Sequence, residues 1–191
     1  MGGNTMYQKI IEYAEALDKI SRERRRDFHR YPETAWLEMR TSAVIAKVLT
    51  ELGYEVLTGK DVCLESSRLG VPSSEELKEH AERALLQGAP AEYLTEEMRA
   101  GFTGVIGILR CGEGPVTALR FDIDALGLTE DENVNHRPFA EGFASRNPGM
   151  MHGCGHDGHA AIGLGVAEVL MKIKDGLHGT VKLIFQPGEE G

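Results

Sequence analysis

The order in which short β-forming runs and longer helical runs follow one another constrains this chain more than any other feature. Tyr54 to Leu57, Thr103 to Cys111, Val116 to Phe121 and Thr180 to Phe185 read as strands, bounded by Gly, Pro and polar clusters. Between and before them lie helical patterns. From Met6 to about Tyr31, Ile10, Tyr13, Leu17, Ile20 and Phe28 recur among charges as one long amphipathic helix, which Pro32 ends. Glu38 to Leu52 reads as a second helix, stopped by Gly53. Ala160 to about Lys174 reads as a third, built from small apolar residues. Residues 61 to 101 read as an insertion with its own short helices, Glu75 to Leu86 behind a Ser-Ser cap and Glu92 to Arg99. Gly112 to Pro115 is a turn-forming linker between two strands. Strands alternating with helices predict an α/β fold, a sheet flanked by helices, and there are no internal repeats.

Composition narrows the function classes. The 191 residues are 41% hydrophobic and 27% charged, which suits one cored globular domain. A formal net charge of −9 excludes a general phosphate-binding surface, so no nucleic-acid partner is expected. The basic group Arg22, Arg24, Arg25 and Arg26 sits in a helical pattern mixed with acids and reads as a solvated face. No run approaches the roughly 20 apolar residues of a membrane span, and the first ten residues lack an apolar signal core. A cytoplasmic protein without a membrane partner is the expectation. Three scattered cysteines, Cys63, Cys111 and Cys154, do not make a disulfide framework.

Chemistry concentrates in three segments. His152-Gly153-Cys154-Gly155-His156-Asp157-Gly158-His159 packs three imidazoles, a thiol and a carboxylate among glycines, whose backbone freedom lets a short loop converge its side chains. That is a ligand set for zinc and related metals. A solvated polar loop and a Cys154 nucleophile with His156 as its base are the competing readings. Glu189-Glu190 follows the last strand and a Pro-Gly turn, where reacting groups gather in open α/β sheets. One carboxylate of such a pair can hold metal while the other serves as general base, although most such pairs are surface charges. Asp122 and Asp124 end the third strand, where one could steady a ligand histidine or merely cap a turn. His29, His80 and His178 read as structural or surface residues.

The stretches 24 to 41, ALRFDIDAL (118 to 126), MMHGCGHDGH (150 to 159) and KLIFQPGEEG (182 to 191) resemble the aminoacylase, hippurate hydrolase and auxin-conjugate amidohydrolase branch of the dinuclear metallopeptidases that include carboxypeptidase G. Glu65 to Arg68, His136 to Phe139 and Gly142 to Ser145 bring it nearest to hydrolases of p-aminobenzoyl-glutamate. The resemblance implies a three-layer zinc-exopeptidase-like domain with a mixed, mostly parallel sheet, of which this chain is the N-terminal part, without the lid and dimerisation domain. It implies Cys154, His156 and Glu190 as metal ligands, Glu189 as general base toward a metal-bridging water, and Asp124 as the aspartate orienting a ligand. Asp122 stands where related branches carry a ligand histidine and is not expected to bind metal. Two divalent ions, Mn2+ or Zn2+, are implied in the complete enzyme. The implied reaction is hydrolysis of p-aminobenzoyl-glutamate, a folate breakdown product, or a related N-acyl amino acid. A second hydrolase subunit and a dimer are the implied partners. A truncated metal-binding fragment without activity is the alternative expectation for the 191 residues alone.

Overall fold

The computed structural model describes residues 5–191. Its elements are α1 (Met6–Ala16), α2 (Asp18–Arg30), α3 (Met39–Leu52), β1 (Glu55–Thr58), α4 (Ser74–Leu86), α5 (Glu96–Arg99), β2 (Val105–Arg110), β3 (Val116–Asp122), α6 (Arg137–Ala140), α7 (His156–Lys172) and β4 (Thr180–Gln186). None of these helices is long and apolar enough to cross a membrane.

The four strands form one sheet in the order β1-β2-β4-β3, with helices packed against it. The expected mixed sheet is present, but the expected parallel majority is not. β3 runs parallel to β4, whereas β1 with β2 and β2 with β4 are antiparallel. The cause is the Gly112–Pro115 linker, too short for a helical crossover, which carries the chain past the start of β4 rather than into a hairpin. There Gly179 N–H donates to Glu113 O at 3.1 Å, Cys111 N–H to Gly179 O at 2.8 Å and Thr180 N–H to Pro115 O at 2.9 Å. Gly179 holds a left-handed φ of 81°, and a Cβ there would lie 2.1 Å from Pro115 O. Gly179→Ala is therefore expected to lower the unfolding free energy by about 2–3 kcal/mol, read from urea denaturation. A loss too small to resolve would show that the linker yields.

Helix boundaries depart from the sequence at three places. The expected helix from Glu92 to Arg99 divides into a 3-10 turn at Ala91–Tyr93 and the one-turn α5, because Thr95 caps the second turn through Met98 N–H. The long first helix is broken at Leu17 (φ −90°, ψ −5°), giving α1 and α2. Thr5 opens α1 with a capping box to Gln8. The third expected helix starts four residues early, so His156 and Asp157 lie in the first turn of α7 instead of in a loop. The small residues of α7 have a packing reason. A Cβ on Gly163 would come within 2.6 Å of Phe185 and 2.9 Å of Phe121, so this face lets the helix lie close on the sheet. Phe28, Leu49, Leu164, Leu183 and Phe185 fill the resulting core. Leu77, Ala81, Ala84, Leu94 and Met98 from the 61–101 segment join the same core. The arginines of α2 also depart from a simple solvated face. Arg24 pairs with Glu168 at 2.5 Å, Arg25 with Asp157 at 3.1 Å and Arg26 with Glu141, so α2 is tied to α7 and to the segment after α6.

Candidate metal centre

Parallel pairing of β3 with β4, in the register Asp122 to Gln186, puts both carboxyl ends on one side of the sheet. The chain beyond each strand then meets the chain beyond the other. Ile123 N–H donates to Gln186 O at 3.0 Å, and Glu190 N–H donates to Asp124 Oδ2 at 2.8 Å. Asp124 is fully buried. Ala125 N–H donates to Glu33 O at 2.8 Å, fastening the segment before α3 beneath the same place.

The N-terminal turn of α7 supplies the imidazole. His156 is buried, and its Nδ1 lies 3.0 Å from the carbonyl oxygen of Asp124 and 3.2 Å from Asp124 Oδ1. A carbonyl oxygen only accepts, so Nδ1 carries a proton, and in the neutral ring Nε2 presents its lone pair. That lone pair looks toward Glu189 Oε2 and Glu190 Oε1, each 3.9 Å away.

One sulfur, nitrogen or oxygen atom from each of Cys154, His156 and Glu190 lies within 4.8 Å of the others. Ligand atoms bonded to one ion at about 2.0–2.3 Å stand about 3–4 Å apart, so a small contraction of this group would seat a divalent cation. The donor set and the tautomer of His156 fit such an ion. The structure thus gathers all five sequence-expected residues, Asp124, Cys154, His156, Glu189 and Glu190.

Electrostatics bear on the thiol. A hydrogen bond to Glu190, together with the carboxylates of Glu189 and Asp124 around it, pushes the Cys154 thiol above its ordinary value. A thiol nucleophile needs the reverse shift, so the protein groups alone do not activate Cys154 for attack. A cation among these carboxylates is what would favour the thiolate.

Three groups join these five residues, and of them only His29 and Glu38 were not legible as functional in the sequence. Asp122 and His159 form a second set with His156, with His159 Nδ1 3.6 Å from Asp122 Oδ2, while Arg120 Nε lies 3.1 Å from Asp122 Oδ1. His29, expected to be structural, is buried and bridges Asp157 Oδ2 at 2.9 Å and Glu130 Oε1 at 2.8 Å. Burial, the largest single effect, lowers its pKa, but its two carboxylate partners together outweigh it and raise the pKa above the ordinary value. Because Asp157 follows His156, this bridge fixes the turn that presents the ligand candidate. Glu38 is fully buried, and its Oε1 accepts from Gly188 N–H at 2.8 Å while Oε2 accepts from the Thr103 hydroxyl at 2.6 Å. Glu38 and Asp124 thereby hold the backbone on either side of Glu189. No spacing rule marks Glu38; the one available signal is an acid between Leu37 and Met39, both of which are buried.

Burial pushes the Glu38 carboxyl from its ordinary 4.5 to about 8. The folded chain keeps this proton where the unfolded chain has lost it, so the contribution of Glu38 is complete below about pH 4.5 and is lost as pH rises through about 8. In Glu38→Gln the side-chain oxygen can still accept from Gly188 and the amide can donate to Thr103. The variant is expected to lose less stability than the parent between about pH 5 and 8, compared by denaturation at several pH values. Parallel pH curves for the two proteins would refute this.

The chain is similar to known proteins. Residues 118–191 match the model of Peptidase family M20/M25/M40. The chain is 52% identical over 168 residues to a p-aminobenzoyl-glutamate hydrolase subunit of Escherichia coli, a match covering 87% of this chain and 38% of that protein. It is 50% identical over 183 residues to indole-3-acetyl-aspartic acid hydrolase of Enterobacter agglomerans, covering 95% of this chain and 42% of the relative. The crystal structure of an aminobenzoyl-glutamate utilization protein from Klebsiella pneumoniae superposes with a TM-score of 0.77 at 39% identity, covering 95% of this chain and 40% of that one. This chain therefore spans about two fifths of the length of these relatives.

Proposed function

We propose that this chain, which belongs to peptidase family M20/M25/M40 through its residues 118–191, forms part of the metal centre of an amidohydrolase for N-acyl amino acids. The observation that carries the reading is the convergence of Cys154, His156 and Glu190 beside the free carboxylate of Glu189. The names of the relatives support an acyl-glutamate or acyl-aspartate substrate, with p-aminobenzoyl-glutamate the first choice. The Escherichia coli relative is named as one subunit of its hydrolase, which supports a second polypeptide in the complete assembly.

In this reading Cys154, His156 and Glu190 hold a divalent ion, Zn2+ or Mn2+, and a second ion is shared with residues outside these 191. Bound metal would supply Lewis acidity toward the amide carbonyl and toward water. Glu189 takes the proton of the attacking water and returns it to the departing nitrogen, breaking the C–N bond. Asp124 fixes the ring of His156 and the backbone of Glu190 together, so one buried carboxylate orients two ligands.

The test is a titration of the chain with Zn2+ and Mn2+ by calorimetry. One ion per chain is the expected stoichiometry, with His156→Ala abolishing binding and Asp124→Asn weakening it about 10- to 100-fold. Binding that survives His156→Ala unchanged would place the ion elsewhere and remove the basis for the reading.

A further inference from the structure

We propose that the cavity beside the Glu189-Glu190 turn receives the planar aromatic acyl group of the substrate, with Trp36 as its recognition surface; this rests on the hydrolase reading above. The cavity, about 370 Å³, opens between the 62–69 segment and the adjoining ends of β2 and β4. That is within the size range of small-molecule sites. Val62, Ile106, Ile184 and Pro187 make its apolar walls, and among the described residues no acidic side chain lines it although the chain carries a net charge of −9.

Trp36 is the one non-glycine residue with positive φ among the described residues, at 65°. A bulky side chain adopts this conformation only where its surroundings impose it, and such positions cluster at functional sites. The surroundings here are specific. The indole N–H donates to Leu69 O at 2.6 Å, and a Cβ on Gly188 would lie 2.9 Å from the indole ring. The ring is thus pinned between the 62–69 segment and the turn that carries Glu189. Arg68 also lines the cavity, its guanidinium 3.5 Å from the centroid of Phe102 and 5.6 Å from that of Trp36. An aromatic ring in the cavity would meet a flat aromatic surface and a stacked cation, both of which favour planar π-systems. Gly188 and Gly191, which flank Glu189 and Glu190 in the chain, line the cavity, so a carbonyl attached to a seated ring would lie beside the turn that carries both carboxylates. The two relatives, named for an aminobenzoyl and an indole-3-acetyl amide, share an aromatic acyl half joined to an acidic amino acid.

Trp36 is the only tryptophan of the chain, so its fluorescence reads this cavity directly. The probes are N-benzoyl-glutamate and N-acetyl-glutamate, titrated into the 191-residue chain with metal removed by a chelator. Saturable change in Trp36 emission is expected with the benzoyl compound, at least tenfold tighter than with the acetyl compound. Ser67→Phe, a substitution at an exposed cavity residue, is expected to weaken benzoyl binding by tenfold or more and to leave metal affinity unchanged. Equal affinity for the two probes, or benzoyl binding untouched by Ser67→Phe, would overturn the proposal. Benzoyl selectivity in a chain that binds no metal would instead sink the hydrolase reading and leave the cavity assignment standing.

Discussion

Glu189→Gln is expected to reduce kcat for an N-acyl-glutamate by about 100- to 10,000-fold in the catalytically competent protein, with metal affinity retained. The substitution keeps the shape of the side chain and removes its ability to take a proton. Its backbone setting should survive, because the neighbouring N–H groups of Gly188 and Glu190 are held by Glu38 and Asp124. The side chain itself is 37% exposed and makes no ligand-like approach closer than 3.9 Å to His156 Nε2. A role in proton transfer therefore predicts a fall in kcat without a matching change in metal binding. Glu190→Gln should give the opposite emphasis, weakening the metal first. Turnover by Glu189→Gln within a few fold of the parent would move the general base to another residue.

Phe185→Ala is expected to cost about 3–5 kcal/mol of unfolding free energy. Phe185 is fully buried in β4, with the ring of Phe121 5.4 Å away and α7 packed close through Gly163. A small residue leaves a void that α7 cannot fill by moving inward, since its first turn is anchored by Asp157 to His29 and Arg25. Against a typical domain stability of about 5–15 kcal/mol, this removes a large fraction of the total. In urea the midpoint should fall with the slope unchanged. A loss below about 1 kcal/mol would mean that the core closes around the gap, contrary to the anchoring described.

Local punctuation made much of the fold legible. Pro32 and Gly53 marked real helix ends, and each apolar β-forming run became a strand within two residues of its expected limits. What escaped was set by distant partners. Leu17 continues the apolar pattern, and nothing adjacent in sequence signals the break there. The insertion of β4 between β2 and β3 depends on Gly179 meeting Pro115, a contact between residues far apart in the chain. The same division holds at the candidate metal centre. Cys154, His156, Glu189 and Glu190 stand out because several ligand types crowd into short segments. Glu38 and His29 each act through two long-range hydrogen bonds and carry no local signature.

The position of β4 also has a consequence for biosynthesis. It lies between two strands that leave the ribosome before it, so β2 and β3 have no shared partner until residues 180–186 emerge. A nascent chain halted ahead of that point carries a β1-β2 pair and a separate β3 with its backbone groups unpaired, a state open to wrong pairing with other chains. Slowed synthesis between residues 122 and 180 would prolong that exposure, making the nascent chain most dependent on holding chaperones during that interval.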